Sequence, residues 1–129
     1  MADKTYTVTV ASGTLYPSGK GTGSVYYLDG VRDLDITWTQ GATLRFNQDD
    51  ATNDGHPLLF TTDSSNPNSG RIETGVVYNL DGSTVPYSSY ASGSFNSATT
   101  RYVEITPASA ADFYYYCFYH GLRMGGEID

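Results

Sequence analysis

Residues 112–126 read DFYYYCFYHGLRMGG. An aromatic run leads into Cys117, the only cysteine of the 129 residues, and His120 and Met124 follow, each one of only two of its kind. In an extended run side chains alternate, which puts Tyr114 and Tyr116 on one face and Tyr115 and Cys117 on the other. A tight loop after such a strand can turn the cysteine, a histidine and a methionine toward one point. The stretch reads as a β-strand delivering a thiol to a cluster of soft and borderline metal donors.

Upstream, TYTVTV alternates polar and apolar side chains from Thr5 to Val10, and SVYYL, LDITW, ATLRF, HPLLF, TGVVY and RYVEI follow as short β-branched or aromatic runs. Between them, SGKGTGS, TQG, NQDDATNDG, TDSSNPNSG, NLDGST and SSYASGSF are Gly, Asn, Asp and Ser clusters that mark turns and loops. No segment carries a convincing helical period; PASAAD, from Pro107 to Asp112, is the one stretch suited to a helical turn. About eight short strands predict an all-β sandwich or small barrel. Length fits a single domain over residues 1–129, with residues 1–23 either an N-terminal extension or the first strand.

Composition narrows the function. A formal charge of −7, with seven scattered basic residues, argues against nucleic acid or an anionic membrane as partner. No run approaches the roughly 20 apolar residues of a membrane helix. MADKTYTVTVASG has no apolar core of a secretory signal, so the expectation is a soluble protein, or a mature secreted form to which Met1 was added. A single cysteine excludes an internal disulfide.

A second histidine, His56, lies 61 residues before Cys117, at the start of HPLLF. Two histidines, one cysteine and an available methionine form the ligand group of a mononuclear blue-copper site, with thiolate and imidazoles in a plane and a weak axial thioether. Each residue also has a plain structural use: Cys117 as a small buried hydrophobe, His120 in an exposed loop, His56 at a strand end, Met124 as core filler. The same site can stay empty or take zinc. GKGTGS opens no helix and is not a phosphate loop, and NQDDATNDG lacks the spacing and terminal glutamate of an EF-hand. Two histidines are too few for a second copper centre, so no catalysis is expected.

DFYYYCFYHGLRMGG resembles the C-terminal copper loop of cupredoxins. ITWTQGATLRFNQDDATNDGHPLLF is similar to the cupredoxin segment that delivers the other histidine, and RYVEITPASAADFYYYC to the strand, turn and strand before the copper cysteine. The resemblance runs in matching order from Leu34 to Met124. Closer still are the cupredoxin-like modules of virion proteins from marine phages, especially cyanophages, and of large surface proteins of marine bacteria. Their YxLDG, Gly turn, GHPLxFS, TGV and YYYCxxHxxMGG elements correspond here to Tyr27–Gly30, Gly41, Gly55–Phe60, Thr74–Val76 and Tyr114–Gly126.

What the resemblance implies is a cupredoxin-like Greek-key β-sandwich of about 7–8 strands. One copper ion would be held by His56, Cys117, His120 and Met124, with Asn47, Pro57, Tyr119 and Arg123 around them. Pro57 stands where cupredoxins carry asparagine, as in multicopper oxidases, and C-x2-H-x3-M is one residue shorter than the plastocyanin-like loop. The implied role is a phage virion decoration, head-knob or fibre-associated protein whose partners are other virion proteins or further copies of itself. The alternative is a soluble blue-copper electron carrier meeting a redox partner in the periplasm or thylakoid lumen. A short last strand, the segment up to about Gly23 and the loop Asp63–Gly70 are the parts expected to reach a neighbour.

Overall fold

A computed structural model describes residues 3–16, 20–32, 36–107 and 112–129. The strands are β1 (Lys4–Thr14), β2 (Thr22–Leu28), β3 (Val31–Arg32), β4 (Leu44–Asn47), β5 (Leu58–Thr61), β6 (Val76–Leu80), β7 (Ser83–Val85), β8 (Arg101–Ile105), β9 (Phe113–Cys117) and β10 (Gly121–Ile128). They form a seven-stranded sheet, β3-β2-β1-β4-β8-β6-β7, and a three-stranded sheet, β10-β9-β5. The chain leaves the large sheet after β4 to make β5, returns for β6 to β8, and crosses again for β9 and β10. This is an all-β sandwich with Greek-key connections.

The core lies between the sheets and is largely aromatic. Phe46 of β4 stacks on Tyr6 of β1 at 5.2 Å between ring centroids and meets Phe60 of β5 edge-on at 5.3 Å, so one ring touches both layers. Tyr26, Phe46, Phe60 and Tyr115 are fully or almost fully buried. Tyr116, on the opposite face of β9 from Tyr115, is also buried and donates its hydroxyl to Asn68 Oδ1 at 2.8 Å.

Ten strands stand where seven or eight were expected. Two of the extra ones follow LDG tripeptides. Asp29–Gly30 and Asp81–Gly82 all have positive φ, the signature of a type I′ turn, and each closes a hairpin, Leu28 opposite Val31 and Leu80 opposite Ser83. The runs after these turns are too short to register as strands by composition. LDITW is not a strand within the described residues, where only Ile36 makes a parallel bridge to Ile128. The SSYASGSF loop is instead two short helices, α1 (Tyr87–Tyr90) and α2 (Gly93–Ser97), too short to show a helical period, each burying one aromatic ring, Tyr90 or Phe95, and the second N-capped by Ser92. The expected turn at Pro107–Asp112 lies mostly outside the described residues.

The first and last strands are built into the two sheets. β1 pairs antiparallel with β2 and, through Lys4–Thr7, parallel with β4, which places it inside the large sheet. The closing strand is not short: β10 runs eight residues and pairs with β9 of the same chain. Its register shifts between Gly121 and Gly126. The carbonyls freed there go to Arg32, whose guanidinium donates to Gly125 O at 2.8 Å, Arg123 O at 3.2 Å and Met124 O at 3.3 Å. Gly125 crosses so close to β9 that a Cβ would sit 1.7 Å from Tyr115 O. Gly125→Ala is therefore expected to destabilise the protein by about 3 kcal/mol or more. Urea denaturation checks this against Gly30→Ala, whose Cβ would meet nothing and which carries only the positive-φ strain.

Candidate metal centre

β5 pairs antiparallel with β9 so that Leu58 lies opposite Cys117, and Phe118 N donates to Pro57 O at 3.1 Å. His56, one residue further back, is thereby carried to the end of β9. Phe118–His120 form a turn, and Gly121, at φ 82°, pairs back with Cys117. Only a residue tolerant of positive φ closes so tight a hairpin. His120 then faces the same sulfur.

Cys117 Sγ lies 3.6 Å from His56 Nδ1 and 3.5 Å from His120 Nδ1, and the two imidazoles are 4.9 Å apart between centroids. All three donor atoms lie within 4.8 Å of one another. Metal–nitrogen bonds of ~2.0–2.1 Å and metal–sulfur bonds of ~2.3 Å place nitrogen and sulfur roughly 3.5–3.8 Å apart at tetrahedral to trigonal angles. The separations fit one ion bound through Nδ1, Nδ1 and Sγ. Copper suits a thiolate and two imidazoles, and zinc accepts the same donors.

Exposure is graded across the group: Cys117 is buried, His56 half-buried, His120 exposed. Burial pushes the Cys117 thiol above its ordinary 9.0, while the N–H groups of His120 and Tyr119, the Tyr26 hydroxyl and the charge of Arg123 pull it down. Burial, and then His120, hold His56 below its ordinary 6.5. A histidine that stays neutral is a better metal ligand.

Backbone clamps fix His56. Its N–H donates to Asn53 O at 2.8 Å, and its carbonyl accepts from Tyr26 Oη at 2.7 Å and Gln48 Nε2 at 2.8 Å. Gln48 is fully buried; its Nε2 also reaches Asn53 Oδ1 at 3.0 Å, and its Oε1 accepts from Leu58 N at 3.0 Å and lies 2.7 Å from Tyr90 Oη. Arg101, 1% exposed, donates to the carbonyls of Gln48, Phe95 and Asp50 and pairs with Asp54 at 2.7 Å. One guanidinium thus satisfies carbonyls of the loop before His56 and of α2. Asn96 Oδ1 of α2 accepts from Gly55 N at 2.6 Å.

Of the residues expected around the ligands, Pro57 is buried and joins the two ligand loops through its carbonyl. Asn47 spends its side chain on Asp49, and the tie to the histidine loop is made by its neighbour Gln48. Tyr119 is 57% exposed and packs edge-on against Phe118 at 4.7 Å. Arg123 is exposed beside the turn. Met124 is fully buried on β10 in the same core as Cys117. Tyr26, Gln48, Asn53, Tyr90 and Arg101 had no motif to announce them; the one signal was an arginine opening the apolar run RYVEI.

Solved structures similar to this chain include a rusticyanin with a histidine-to-methionine change, at 17% identity and TM-score 0.44, covering 99% of this chain and 82% of that one. Rusticyanin from Thiobacillus ferrooxidans is similar at 20% identity and TM-score 0.40, with the same coverage. A multi-copper oxidase from Pseudomonas thermotolerans matches at 16% and 0.43, over 99% of this chain and 29% of the oxidase. No protein-family model and no curated protein matches the chain. The likenesses are loose, and the reading of the centre rests on its own donor atoms.

Arg101→Met would strand buried loop carbonyls that cost about 1–3 kcal/mol each, so a loss of roughly 3–5 kcal/mol is expected by chemical denaturation. Metal affinity should fall with it, because His56 loses its fixed backbone. The metal-free protein should also lose stability at both ends of the pH scale. As pH drops through 6.5 the unfolded chain takes up the His56 proton first, and above 9.0 it loses the Cys117 proton first. Urea midpoints across pH check this: His56→Gln should flatten the acid limb and Cys117→Ala the alkaline one.

Proposed function

We propose that this chain is a mononuclear copper-binding module of cupredoxin type, non-enzymatic, with His56, Cys117 and His120 as ligands and Met124 as a weak axial donor. The observation that carries this is the pair of Nδ1 to Sγ separations, 3.6 and 3.5 Å, at the buried end of β9. When bound, copper supplies one-electron redox chemistry and a stabilising link. The protein's own part is to keep His56 neutral, to orient both imidazoles, and to shield the thiolate from water.

Titration with Cu(II), followed by visible absorption and electron paramagnetic resonance, tests the centre. An intense thiolate-to-copper band with narrow copper hyperfine splitting is expected, absent in Cys117→Ser and His56→Ala. A protein that binds zinc but gives no such band overturns the copper assignment. Met124→Leu conserves volume and should keep the band while shifting its energy and the reduction potential; unchanged spectra would remove Met124 from the ligand set.

Two uses of such a module follow. The GHPL and YYYC boxes support a virion module, in which copper acts as a staple worth about 2.7 kcal/mol when free metal is 100 times its dissociation constant. The exposed His120 and Tyr119 favour electron exchange with a redox partner instead. Mass spectrometry of purified phage particles and sedimentation of the isolated protein separate them. Presence in particles with self-association supports the virion role, and a strict monomer with fast electron self-exchange supports the carrier.

A further inference from the structure

Beside the exposed edge of the metal centre, Leu15, Thr22, Gly23, Ser24, His120 and Arg123 enclose a cleft of about 180 Å³. One wall is the β1–β2 hairpin and the other is the turn that carries His120 into β10. Among the described residues Arg123 has no ion pair, in a chain whose formal charge is −7. Arg123 is exposed and lines the cleft beside His120. A guanidinium is a planar fork matched to two oxygens, and the hydroxyls of Thr22 and Ser24 and the imidazole of His120 add short-range donors.

We propose that this cleft binds a small planar oxyanion of carboxylate type. Size supports the class: with about 30 Å³ per water, the cleft has room for an acetate-sized ion and a few waters, and it falls short of the ~300 Å³ at which drug-sized ligand pockets begin. The acidic surface repels anions in general, so selectivity must come from the local fork and hydroxyls. Binding itself does not need the metal. Its consequence for the copper reading does rest on that reading: a negative charge next to His120 favours the more highly charged, oxidised ion and lowers the reduction potential.

Acetate and formate, titrated at constant ionic strength into the 15N-labelled metal-free protein, are the probes. Saturating shifts at Ser24, His120 and the Arg123 Nε–H are expected. Arg123→Gln, at an exposed position, should keep the dispersed spectrum of the fold and bind about tenfold or more weakly, while Arg123→Lys keeps part of the affinity. Non-saturating shifts, an equal response to chloride, or an unchanged response in Arg123→Gln would each overturn the proposal. Because the readout uses no metal, a failed copper titration leaves it standing, and a failed acetate titration leaves the copper centre untouched. In copper-loaded protein, acetate should lower the reduction potential of the native chain and not that of Arg123→Gln.

Discussion

The candidate metal centre depends on a guanidinium that supplies none of its donor atoms. Arg101 opens β8 with its guanidinium buried, and the carbonyls of Gln48, Asp50 and Phe95 and the carboxylate of Asp54 surround it. A buried cation so enclosed leaves the loop after β4 little freedom. Gln48 completes the restraint from the other side by joining Asn53, His56 and Leu58. Histidine placement is therefore a by-product of satisfying buried polar groups, each of which would be costly to leave alone.

The sandwich supplies the second requirement, a dry thiol. Phe46 bridges the sheets through Tyr6 and Phe60, and Tyr26 and Tyr115 fill the space beside Cys117. Tyr26 serves both needs, with its ring in the core and its hydroxyl on the His56 carbonyl. An aromatic residue with a polar tip suits a place where the core ends and the centre begins.

Cys117 and His120 of the donor group, and the all-β class, were legible in the sequence because both write themselves locally. His56 stands 61 residues upstream and was tied to them through the resemblance of its GHPL box. Alternation marks strands, and a cysteine, a histidine and a methionine within one turn mark a site. The supports were not legible, because their meaning is non-local: Gln48 sits in an acidic loop that reads as solvent-exposed, and Arg101 reads as the polar edge of a strand. The helices around Tyr90 and Phe95 were hidden for the same reason, since segments of four and five residues give no period and each is anchored by one ring buried against distant parts of the chain. β10 was underestimated because its shifted register is made good by Arg32, a residue about ninety positions away.

β9 lies between β5 and β10, and the chain enters each of these neighbours just after a histidine of the candidate centre. His56 precedes one flanking strand, His120 precedes the other, and the thiol is on the strand between. An ion bound there would join three strands at one end of the small sheet. Pulling β10 away, or peeling β5 from the opposite edge, would each separate the three donor side chains. If the centre holds copper, as proposed, its colour would report whether these three strands stay paired.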